Sequence, residues 1–160
     1  MIDADQFRTA LGQWASGVTI VTSAEESRVH GMTVSAFSSV SLDPPLVLVC
    51  ADKSSITNEL IEKSGVYAAH ILASGQQDLS NKFASKKDEH RRFEGIDWKT
   101  LATGAPILPG CLAVLDCRVS GAHDAGDHIV YVGLVEAIEL EEQEPLVYFQ
   151  GAYRELGKKA

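Results

Sequence analysis

Apolar residues at Phe7, Ala10, Leu11, Trp14 and Ala15 recur at the three-to-four spacing of one helical face. Asp3, followed three residues later by Gln6, matches a capping box at the start of that helix. Gly17 is its expected stop. From Val18 the period shortens to two. Val18 to Thr22 is β-branched throughout, the polar stretch Ser23 to Arg28 lets the chain turn, and Val29 to Phe37 reads as the returning strand. Pro44-Pro45 ends that region, since neither residue donates to a ladder. Leu46 to Cys50 is short and continuously apolar, the pattern of a strand covered on both faces.

Asp52-Lys53-Ser54-Ser55 then opens a helix carrying Ile56, Leu60 and Ile61 that closes near Gly65. Val66 to Leu72 reads as a strand and Gln76 to Phe83 as a short helix, followed by the charged run Lys86 to Arg92. The last third is strand-rich. Cys111, Ala113, Leu115, Cys117 and Val119 alternate, Gly121 to Asp127 is a turn, and Ile129 to Ile138 and Leu146 to Tyr153 are further strands. Six or seven strands, often adjacent in sequence, with two to four helices favour an antiparallel barrel or sandwich over a doubly wound sheet. No repeat or linker divides residues 1–160, which read as one domain.

Composition narrows the function classes. Fourteen Lys and Arg against 22 Asp and Glu leave a net charge of −8, which disfavours nucleic acid and anionic membrane surfaces as partners. No apolar run approaches bilayer-spanning length, the acidic start lacks signal-peptide order, and three cysteines are an odd number. A cytoplasmic protein is expected. There is no G-x-G-x-x-G, Walker A, G-x-S-x-G or H-E-x-x-H motif. His123 and His128 have zinc-ligand spacing. Cys111 and Cys117, however, are six apart on one expected strand face, about 20 Å by strand rise, so no metal site is expected.

Four segments could carry chemistry. Gly31 to Ser39 combines strand propensity with small side chains that let a planar ligand reach the backbone, or that simply fit a crowded bend. Lys53-Ser54-Ser55-Ile56-Thr57 offers a cation, hydroxyls and a helix start, either as an anion site or as plain N-capping. Lys82, Lys86, Lys87, Arg91 and Arg92 form either a solvated face or a landing surface for an anionic cofactor. Gly126-Asp127-His128 places a titratable histidine at a turn entering a strand.

In order, these segments resemble the flavin reductase-like family, the small reductases that supply reduced flavin to two-component monooxygenases. The resemblance rests on Phe7-Arg8 with Ser16 to Thr22, Gly31 to Phe37, Ser41-Leu42-Asp43-Pro44-Pro45-Leu46, Ala105-Pro106 with Leu108, and Gly126-Asp127-His128 with Gly133. It implies a mainly β protein with flanking helices, a split β-barrel of Greek-key, FMN-binding type that works as a homodimer. Met32, Thr33, Val34, Ser35, Ala36 and Phe37 would line the flavin ring and ribityl chain. Cys50, Ala51, Asp52, Lys53, Ser54, Ser55 and Thr57 would hold its phosphate. Phe83 would close over the cofactor, His128 would stand near the nicotinamide as the catalytic candidate, and Tyr153 would reach the same pocket.

The implied reaction is hydride transfer from NADH or NADPH to N5 of FMN or FAD, with the protein supplying orientation. A separate oxygenase component would receive the reduced flavin. A non-enzymatic flavin carrier or sensor on the same scaffold is the alternative, and a split barrel oxidising a pyridoxine phosphate ranks third.

Overall fold

The computed structural model describes residues 2–157. Helix α1 (Ala4–Leu11) is capped by Asp3, whose carboxylate accepts the Asp5 N–H at 3.1 Å, in place of the expected box with Gln6. It ends at Gly12, short of Gly17, because a glycine gives up helix propensity and the chain turns there. Trp14 and Ala15 therefore lie outside the helix, and no residue of α1 is buried.

The short β1 (Ser16–Gly17) leads to β2 (Thr19–Glu25) and β3 (Arg28–Val34), an antiparallel hairpin. The expected strand over residues 29–37 is broken. β3 stops at Val34, Ser35-Ala36 cross over, and β4 (Phe37–Leu42) pairs instead with β5 (Pro45–Asp52). Helix α2 (Ile56–Ser64) has the expected ends: Ser55 caps it, and Gly65 closes it in the left-handed region at φ 70°. Strand β6 (Val66–Ile71) and helix α3 (Gln77–Ala84) follow, then a 3-10 turn (Glu89–Arg91) and the short pair β7 (Lys99–Thr100) and β8 (Pro106–Ile107).

Strands β9 (Ala113–Ala125) and β10 (His128–Leu140) make a long hairpin whose turn is confined to residues 126–127, tighter than the expected span. The expected final strand over residues 146–153 is itself a hairpin, β11 (Val147–Phe149) and β12 (Ala152–Arg154). It bends at Gln150 and Gly151, both at positive φ.

The main sheet runs β3-β2-β6-β9-β10-β5-β4, all antiparallel. Its two edge strands are consecutive in the chain and joined by only two residues. The sheet must therefore curl until its edges approach, since two residues span at most about 7 Å. One face of the curl encloses Val21, Val47, Val49, Tyr67, Cys117 and Tyr131, with Ile61 of α2 among them. The opposite face of β2 and β6 packs Ile20 and Ala68 against Phe83 of α3 and Ile107, Leu108 and Leu146.

Strands β2 and β6 are thus the ones covered on both faces. In β5 only Val47, Val49 and Ala51 are buried, while Leu46, Leu48 and Cys50 are half-buried on the outward face. Cys111 lies ahead of β9 in the α3-side cluster and Cys117 in the enclosed one, so the two do not share a strand face.

Candidate active site

The crossing Ser35-Ala36 is tied to β5 by the Cys50 N–H, which donates to the Ala36 carbonyl at 3.1 Å. Thr33 donates its hydroxyl to the Ser80 carbonyl of α3 at 2.7 Å, fixing the end of β3 beneath that helix. Gly31 allows α3 to sit so close, because a Cβ there would fall 2.9 Å from Cε1 of Phe83. On the other side of the crossing, the Asp52 carboxylate accepts both the N–H (2.8 Å) and the hydroxyl (2.7 Å) of Ser54. Ser55 donates to the Asp52 carbonyl and accepts the Asn58 N–H at 3.1 Å, which caps α2.

These elements wall a cavity of about 410 Å³ lined by Met32, Thr33, Val34, Ser35, Ala36, Cys50, Asp52, Ser54, Ser55, Phe83 and His128, joined by Ala84, Lys86, Glu89 and Arg92. Residues from four separate stretches of sequence meet there. The alternation of β5 decides which part of the run 50–55 takes part. Cys50 and Asp52 face the cavity, whereas Ala51 is fully buried in the enclosed core. Lys53 is turned away: its ammonium contacts the Gly126 carbonyl at 2.6 Å and Asp124 at 2.7 Å, bracing the β9–β10 turn. Thr57 is fully buried beside Nδ1 of His30 at 2.8 Å.

Phe37 belongs to a neighbouring cavity of about 620 Å³ with Leu11, Trp14 and Tyr148. Tyr153 lines a third, of about 370 Å³, and its hydroxyl lies 2.8 Å from Ser80 Oγ and 2.9 Å from Asn81 Oδ1. Ser35 borders all three, so the cavities adjoin one another as branches of a groove around the crossing only at that residue and its neighbours.

The electrostatics are uneven. His128 opens β10 opposite Asp52, and its Nδ1 lies 2.7 Å from the Asp127 carboxylate. That bond holds the Asp127 pKa below the usual carboxylate range and leaves Nε2 as the free ring nitrogen. The two bonds from Ser54 likewise lower Asp52. Burial raises the Cys50 thiol. His30, beneath the cavity, is pushed down to about 4, first by burial and then by the nearby charge of Arg92.

Of the five basic residues in the run 82–92, only Lys86 and Arg92 line the cavity. Lys82 and Arg91 are spent on the Glu94 carbonyl and carboxylate. Nothing in the local pattern separates Arg92 from its neighbours, except that Phe93 beside it packs edge-on to Phe83 at 5.4 Å.

The arrangement suits a planar ligand against the small residues 33–36 and an anion at the start of α2, where first-turn N–H groups lack helical acceptors. Among the described residues, no three His, Cys, Asp or Glu side chains are grouped to hold a metal ion.

Residues 11–157 match the family model described as Flavin reductase like domain. The NADH-dependent flavin reductase of a Rhodococcus species is 45% identical over 152 residues, covering 93% of this chain and 84% of that protein. The reductase subunit HsaB of a flavin-dependent monooxygenase from Rhodococcus jostii is 41% identical, covering 95% and 77%. The solved structure of the Streptomyces globisporus NADH:FAD oxidoreductase SgcE6, in complex with NAD and FAD fragments, superposes with a TM-score of 0.90. It is 30% identical, with 100% of this chain and 98% of that one covered.

Proposed function

We propose, from the premise that this chain belongs to the flavin reductase-like family, that it is an NADH-dependent flavin reductase whose ligand sits in the groove around Ser35. The observation that carries the reading is the meeting of residues 32–36, the end of β5, the start of α2, Phe83 and His128 around one cavity. A flavin bound there supplies the hydride-accepting ring.

The chain's own residues bind and orient. The backbone and small side chains of 33–36 and Phe83 would hold the flavin ring, and Ser54 and Ser55 would present the α2 N-terminus to the phosphate of FMN or FAD. His128, held through Nδ1 by Asp127, would offer Nε2 to the nicotinamide. Hydride transfer itself requires no general base, so the His128–Asp127 pair has only to orient. Tyr153 and Phe37 line the two cavities that adjoin this one at Ser35.

The curled sheet supports a split β-barrel, and the outward face of β5 and β10 supports a homodimer. Leu46 pairs with Leu134 and Leu48 with Val132, and all four are half-buried on that face. A second copy laid there would cover β5 on both sides, as its apolar sequence requires. Residues 1–160 form one reductase domain, and a separate oxygenase component receives the reduced flavin, as the HsaB relationship supports. Three free cysteines fit a cytoplasmic setting. Among the described residues, no helix is long and apolar enough to cross a membrane.

The test is NADH oxidation with FMN or FAD in large excess over protein. Turnover that depends on added flavin is expected; flavin bound without turnover would contradict the reading.

A further inference from the structure

Lys53 follows the end of β5, between two residues, Asp52 and Ser54, that line the cavity, but it serves the β9–β10 turn instead. The last β5–β10 pair sets Asp52 opposite His128, and the ladder runs one step further: the Lys53 N–H donates to the Asp127 carbonyl at 3.0 Å. The side chain crosses to the same turn. Its Nζ donates to the Gly126 carbonyl at 2.6 Å and pairs with the Asp124 carboxylate at 2.7 Å. With those partners taken, the ammonium is not aimed at a ligand in the cavity.

The turn needs that support. Gly126 and Asp127 alone join β9 to β10, and of the two only Gly126 is at positive φ (67°), the pattern of a II′ hairpin loop. The Gly126 carbonyl lies outside the β9–β10 ladder, and Lys53 supplies its donor. The same tip gathers Asp52, Asp124 and Asp127, and Lys53 is the one lysine or arginine bonded to any of them among the described residues. What the turn carries is the Asp127–His128 pair. The Asp127 side chain is 92% exposed, so its backbone decides where its carboxylate stands, and that carboxylate lies 2.7 Å from Nδ1 of His128. Lys53 bonds both peptide units that flank the Asp127 Cα, which sets the position from which His128 reaches the cavity.

We infer that Lys53 is a positioning residue for His128, acting through the β9–β10 turn, and is not a ligand of the flavin phosphate. The inference rests on the flavin reductase reading, and it separates Lys53 from the residues on either side of it.

Wild type, Lys53→Met, His128→Ala and the double variant are compared for the single-turnover rate of FMN reduction by NADH. FMN and riboflavin affinities are measured by fluorescence titration, and folding by circular dichroism. Lys53→Met should slow reduction about tenfold to a hundredfold, the scale of a slightly misplaced group in a site, and leave the ratio of FMN to riboflavin affinity unchanged. In the His128→Ala background the same substitution should cost nothing further, because the group it positions is gone. Lys53→Arg should recover part of the rate. An undiminished rate in Lys53→Met overturns the inference, and so does an equal loss in both backgrounds, which is what a merely structural role would give. A ratio shifted towards riboflavin overturns it by making Lys53 a phosphate ligand. A His128→Ala protein as fast as the wild type overturns it while leaving the reductase reading intact. If Lys53→Met does not fold, Lys53→Gln passes through the same cycle and is judged the same way. A wild type whose flavin is not reduced by NADH overturns the reductase reading itself, and the inference with it.

Discussion

Gly133 faces the enclosed core where a Cβ would fall onto the Tyr67 hydroxyl and 2.9 Å from Cβ of Cys117. Gly133→Ala should therefore destabilise the fold by about 1–3 kcal/mol in urea denaturation, an overpacking cost with no slack nearby. Two buried histidines set an acid limit. His70, fully buried, lies with Nδ1 3.0 Å from the Ile20 carbonyl and accepts the Leu108 N–H at Nε2; burial takes it down to about 4, the same value as His30. With folded values below the ordinary 6.5, the unfolded chain binds more protons between pH 6.5 and 4. Stability from both is complete above pH 6.5 and is lost as pH falls towards 4, by roughly 3 kcal/mol per histidine. Urea midpoints at pH 7.5 and 5 should show that fall, and it should shrink in His70→Gln, which keeps a donor and an acceptor but does not titrate. Cys50 gives a third handle at this scale. As the half-buried thiol that lines the cavity, it should be alkylated slowly, and more slowly still with FMN bound, while Cys111 and Cys117 stay unreactive.

At the scale of elements, the start of α2 joins stability to binding. Ser55→Ala removes the cap on Asn58 and should cost about 1 kcal/mol in urea denaturation. It should also weaken FMN more than riboflavin in fluorescence titration. This helix was legible in the sequence because its signals are local: Ser55 before an apolar period and Gly65 after it. The β2–β3 hairpin was legible for the same reason. The break at Ser35-Ala36 was not, because small β-tolerant residues continue the strand pattern and only the curl of the sheet, which brings β3 and β4 together, dictates a crossing. The orientation of Lys53 was half-legible. Alternation along β5 points it away from Cys50 and Asp52, but its partners on the β9–β10 turn are more than seventy residues distant. Arg92 was hidden similarly, since its burial depends on Gly31, sixty-one positions earlier.

At the scale of the molecule, the half-buried apolar face of β5 and β10 should be where two copies meet. Sedimentation should give twice the chain mass for the wild type and the single-chain mass for Val132→Asp, which sets a carboxylate among Leu48, Leu46 and Leu134. The family and the strand-rich architecture were readable from ordered motifs that each occupy one stretch of chain. The groove was readable only in part, because it is assembled where the curled sheet and its helices bring together stretches of sequence far apart in the chain. Its centre is Ser35, which borders every branch. The most direct measurement is therefore FMN-dependent NADH oxidation by the wild type beside Ser35→Trp, whose indole fills the junction, with folding checked by circular dichroism. Rapid flavin-dependent turnover in the wild type and a loss of at least about a hundredfold in a folded Ser35→Trp protein are expected. Full turnover with the junction filled would contradict the placement of the reaction in this groove.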